Sequence, residues 1–75
     1  MITTISNILV FKTNIQTAFD KIRIQDALDS IDAIEKWNVD LQDTDCVLRI
    51  VSDTLTPGQL ISVINYRGFE CSELE

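Results

Sequence analysis

The 75-residue chain carries six basic and twelve acidic side chains, a net charge of −6, with no histidine and 45% apolar residues. A chain this short buries only about 60% of its unfolded surface, so a single domain over residues 1–75 is expected, and the negative charge argues against nucleic acid or anionic lipid as a partner. No apolar run nears the roughly 20 residues that span a bilayer, which argues against membrane insertion.

In chain order, Ile8 to Thr13 is rich in β-formers, with Leu9, Phe11 and Thr13 on one face and Ile8, Val10 and Lys12 on the other. Apolar groups on both faces predict a central strand. The stretch Lys12 to Asp20 then predicts a tight strand-to-helix corner in which several backbone N–H groups point outward. From Thr17 to about Ile31 the period becomes helical: Ile24, Ala27, Leu28 and Ile31 line one stripe, and Asp26, Asp29 and Asp32 fall on the far side. Thr17 is the expected N-cap, with Asp20 at the third helical position.

Ile34 to Leu41 alternates, Trp37, Val39 and Leu41 inward and Lys36, Asn38 and Asp40 outward. Asp43-Thr44-Asp45 reads as a turn. The run Cys46 to Val51 again has period two, with Cys46, Leu48 and Ile50 on one face and Val47, Arg49 and Val51 on the other, so the two strands form an antiparallel hairpin. Thr56 caps a second helix, Pro57 occupies its first position, Leu60, Ile61 and Ile64 form its buried stripe, and Gly68 stops it. Phe69 to Leu74 closes the chain as a short strand with Phe69 and Cys71 inward.

The order β-α-β-β-α-β, with one apolar stripe per helix, places both helices on one face of the sheet. Right-handed crossovers then give an α+β ferredoxin-like sandwich, a four-stranded antiparallel sheet in the order 4-1-3-2. Fold alone does not give function.

Little in the sequence supports catalysis. Histidine is absent, no serine or cysteine sits in a recognisable nucleophile turn, and the two glycines, Gly58 and Gly68, form no phosphate-gripping loop. The same fold supports acylphosphatases, but the first loop here has no arginine to cradle a phosphate. No catalytic residue and no cofactor is therefore expected. The opening MITTISNILVF lacks the basic n-region of a signal peptide, which makes a cytoplasmic location the expectation.

Cys46 and Cys71 lie 25 positions apart, a spacing that fits no zinc or redox motif. In the expected strand order the first strand separates them, so their backbones stand about 9 to 10 Å apart, two strand spacings. That exceeds the roughly 7 Å a disulfide permits, and free, mostly buried thiols are expected.

The strand-loop start KTNIQTAFD, the helix ending QDALDSIDAI, the strand WNVDL, the helix LTPGQLISVI and the closing RGF together resemble the heavy-metal-associated domains of copper chaperones and metal-pumping ATPases, over about residues 8 to 74. In that family the loop reads roughly Gly-Met-Thr-Cys-x-x-Cys. Here Asn14, Ile15 and Gln16 fall on the first three positions, Thr17 on the first cysteine and Asp20 on the second. A hydroxyl and a carboxylate are hard donors where the family holds Cu(I) by two soft thiolates, so metal binding at Thr17 and Asp20 is expected to be weak or absent.

Ile15 stands where the family has its loop methionine and is expected to anchor the loop to the core. Asn14 replaces a glycine and is compatible with a left-handed backbone. The resemblance also marks the surface beside the loop, where family members dock partners: Ala18, Phe19 and Ile22, flanked by Lys21 and Arg23, form a candidate surface for a protein partner or self-association. The alternative is that Phe19 folds back over the loop and Ile22 is half covered.

A protein-interaction or structural module without the usual ligands is thus the leading reading. The alternative is a metallochaperone or metal sensor with atypical ligands, through Asp20 or through Cys46 or Cys71 shared with a second molecule. A third reading is a regulatory small-molecule-binding domain of the same fold, pairing its sheets through Val10, Val47 and Val51.

Overall fold

A computed structural model describes residues 8–74. The elements run β1 (Ile8–Thr13), α1 (Ala18–Asp29), β2 (Lys36–Val39), β3 (Leu48–Val51), α2 (Pro57–Tyr66) and β4 (Cys71–Glu73). The sheet order is β2-β3-β1-β4 with every neighbouring pair antiparallel, which is the expected 4-1-3-2 order read from the other edge. β1 and β3 are central.

Register settles which side chains share a face. Phe11 pairs with Leu48 and Leu48 with Val39, while Leu9 pairs with Ile50 and Ile50 with Trp37. This face meets Ile24 and Leu28 of α1 and Leu60 and Ile64 of α2 in one core, completed by Ile15 and Phe69. Both helices therefore cover the same side of the sheet. Ile61, Trp37 and Leu41 pack against this core and are half-buried.

The second helix begins with a full capping box: Thr56 Oγ1 accepts from Gln59 N–H (3.4 Å) and Gln59 Oε1 accepts from Thr56 N–H (2.9 Å). It ends where Gly68 takes φ +93, a left-handed conformation that glycine adopts without a Cβ penalty.

Several element ends fall short of the alternating or periodic pattern. The first helix stops at Asp29 with Ser30 as its C-cap, leaving Ile31 half-buried just beyond it. β2 covers Lys36–Val39 rather than residues 34–41, because Ile34 N–H turns back to Ile31 O and the Asp40 carboxylate accepts from Gln42 N–H, folding the chain into a turn.

β3 begins at Leu48 rather than Cys46, since Cys46 has φ 46 and cannot continue a strand. That kink also turns Val47 inward, 3% exposed, where alternation had placed it on the outer face; pairing of sheets through Val47 is thereby ruled out. β4 covers Cys71–Glu73 because Phe69 N–H caps the end of α2 at Ile64 O and Glu70 N–H donates to Asn14 Oδ1. Among the described residues no helix is long and apolar enough to cross a membrane.

Candidate functional site

The corner after β1 is fastened from three directions. Thr13, buried at the end of the strand, donates its hydroxyl to Cys46 O (2.7 Å) and accepts from Ile15 N–H (3.1 Å), and its own N–H donates to Asp45 O (3.0 Å). Asn14 Oδ1 accepts from Glu70 N–H at 2.8 Å, tying the loop to the approach to β4. Ile15 is fully buried in the core, the anchor its position implied.

Asn14, although compatible with a left-handed backbone, does not adopt one. Cys46 is the non-glycine residue with positive φ among those described, and Asn14 acts through its side chain instead. Sequence reasoning missed Thr13 as the hub of the corner; its inward register was the available signal.

The helix start follows the local chemistry. Thr17 is extended (φ −131, ψ 162) and its Oγ1 accepts from Asp20 N–H at 3.0 Å, as an N-cap does. The Asp20 carboxylate accepts from Gln16 N–H at 3.2 Å, a reciprocal bond one residue before the cap. The N–H groups of Ile15, Gln16 and Asp20 are thus taken internally and do not point outward from the corner. As donors, Thr17 and Asp20 offer one hydroxyl and one carboxylate, both engaged by backbone; this set does not fit a soft monovalent ion. No group of three or more Cys, Asp or Glu side chains able to hold a metal ion forms among the described residues.

The two thiols are free, Cys46 buried and Cys71 half-buried. Burial pushes the Cys71 thiol up from its ordinary 9.0 to about 11, which keeps it protonated and a poor nucleophile near neutral pH.

Beside the corner, the outer side of α1 presents its apolar groups to water. Phe19 is 72% exposed and Ile22 61%, and Ala18 is exposed too, so Phe19 does not fold back over the loop. Ile24, Ala27 and Leu28 occupy the inner stripe. Lys21 and Arg23 diverge from the patch: Lys21 Nζ lies 5.7 Å from the Trp37 ring and Arg23 Cζ 5.3 Å from the Phe69 ring. Each cation packs its stem toward the body of the protein, leaving Phe19 and Ile22 between them on the same helical face, three residues apart.

No protein-family model and no curated protein sequence matches the chain. Solved structures do. Oxidized MerP from Ralstonia metallidurans CH34 superposes with a TM-score of 0.78 at 11% identity, covering 95% of this chain and 100% of that one. A structure described as "Crosstalk between Cu(I) and Zn(II) homeostasis" superposes with a TM-score of 0.75, again at 11% identity, covering 91% of this chain and 99% of that one. At such identity the likeness is one of fold: the chain is built as the ferredoxin-like sandwich that these proteins share.

Proposed function

We propose that the chain is a heavy-metal-associated-like domain whose metal-loop scaffold has been kept for protein interaction, with docking through Ala18, Phe19 and Ile22 and with Lys21 and Arg23 at the margins. The supporting observation is the contrast within one short segment: the oxygens of Thr17 and Asp20 are engaged in capping, while Phe19 and Ile22 next to them are left to solvent. An exposed aromatic beside an exposed aliphatic residue is the kind of anchor that interfaces bury. The function is non-enzymatic, and the partner is a protein or a second copy of the chain.

Two measurements on the reduced protein test this reading. Titration with Cu(I) and with Zn(II), followed through the amide signals of residues 14–21, should leave those signals unmoved at sub-micromolar metal. The Phe19→Ser/Ile22→Ser pair should abolish association with any partner, or with a second copy, without loss of fold. Tight metal-dependent shifts in the corner would instead establish the second reading, metal handling with atypical ligands. That reading is favoured by the description of one structure sharing this fold, which names Cu(I) and Zn(II) homeostasis.

A further inference from the structure

The side of the sheet turned away from the helices is a second surface of distinct chemistry. Register assigns it Ile8, Val10 and Lys12 of β1, Arg49 and Val51 of β3, Lys36 and Asn38 of β2 and Ser72 of β4. None of these is acidic, although acids outnumber bases twelve to six in the chain. Lys12 approaches Asp45 at 3.8 Å, whereas Lys36 and Arg49 are exposed and neither forms an ion pair among the described residues. Lys36 pairs with Val51 and Arg49 with Asn38, so the two cations are diagonal neighbours, with backbones about 7–8 Å apart. Between them and the 60% exposed Ile8 runs a shallow groove of about 340 Å³, floored by Val51.

Two like charges held side by side over an aliphatic floor repel each other, and an anion relieves that repulsion. Their spacing indicates its form. Alternate side chains of an extended peptide point to one side roughly 6.6–6.8 Å apart, which matches the diagonal pair. We propose that this open face binds an extended acidic segment of a partner protein, with carboxylates at positions i and i+2 meeting Lys36 and Arg49. A nucleic acid strand continues its charge about every 3.4 Å beyond the groove and runs onto a strongly acidic protein, and a second copy brings a further net charge of −6. A short segment carries only the charge that the groove can meet.

The test uses the full chain and a fluorescent hexapeptide with glutamate at alternate positions, measured by anisotropy and amide shifts at low salt. Saturable binding is expected, with shifts at Lys36, Asn38, Arg49 and Val51 and none at residues 14–21. Affinity should fall by about tenfold or more in Lys36→Glu/Arg49→Glu and weaken markedly at physiological salt, while Phe19→Ser/Ile22→Ser leaves it unchanged. Both cations are exposed, and Lys36→Gln/Arg49→Gln, with the same expected loss, provides a milder variant if charge reversal disturbs the fold. Four outcomes each overturn the proposal: no saturable binding, equal affinity for the glutamine analogue of the peptide, tighter binding of an oligothymidylate, or a dimer that dissolves on charge reversal while the peptide leaves the groove amides unmoved.

Discussion

A single hydroxyl holds the end of β1. Thr13 Oγ1 both donates to Cys46 O and accepts from Ile15 N–H in a buried setting, so Thr13→Val leaves two backbone groups without that partner. Urea denaturation should show a loss of about 1–3 kcal/mol, the usual penalty for orphaned buried polar groups. Thr17→Ala removes a surface cap and should cost less, about 1 kcal/mol, with Thr17→Asp restoring most of it. The caps at Thr17 and Asp20 were legible in the sequence because capping is local, spanning three or four residues. The long-range bonds from Thr13 to Cys46 and from Glu70 to Asn14 were not, since these partners lie 33 and 56 positions apart along the chain and only the closed sheet brings them near.

Among the elements, α2 is defined at both ends by sequence-local chemistry. Gly68→Ala tests its stop: beyond the adjoining residues nothing lies within 4 Å of the added Cβ, so the penalty is conformational, from φ +93. A cost of about 1–2 kcal/mol is expected in thermal or urea unfolding, with Gly68→Asn falling between alanine and glycine. Element order, the central position of β1 and the inward stripes of both helices were readable from periodicity and crossover handedness. Strand ends were not: alternation in Ile34 to Leu41 and Cys46 to Val51 runs past the hydrogen-bonded ladder, because the same inward spacing serves turn residues that pack against the core. Cys46 shows the difficulty most plainly. Nothing in its neighbours foretold a left-handed backbone for a residue that is neither glycine nor asparagine.

At the scale of the whole molecule, one side of the sheet is sealed by helices and the other carries the cationic groove, while the exposed apolar anchor stands on α1. Burial of Cys71 couples to the stability of the entire fold. Its folded pKa, about 11, exceeds the ordinary 9.0, so the unfolded thiol ionises first and stability falls as pH climbs between those values; below about pH 9 this contribution is fully present. Urea midpoints measured across that window should decline, and Cys71→Ser, whose hydroxyl does not titrate there, should flatten the decline. The edge strand offers a further consequence. Trp37 is the sole tryptophan, half-buried, its indole N–H donating to Asp29 Oδ1 at 2.9 Å with the Lys21 ammonium over its ring. The protein thus carries a built-in optical gauge of the seam between β2 and α1. Peeling of that edge ahead of global melting would redden the emission while far-ultraviolet dichroism held steady, whereas an all-or-none transition makes the two curves coincide.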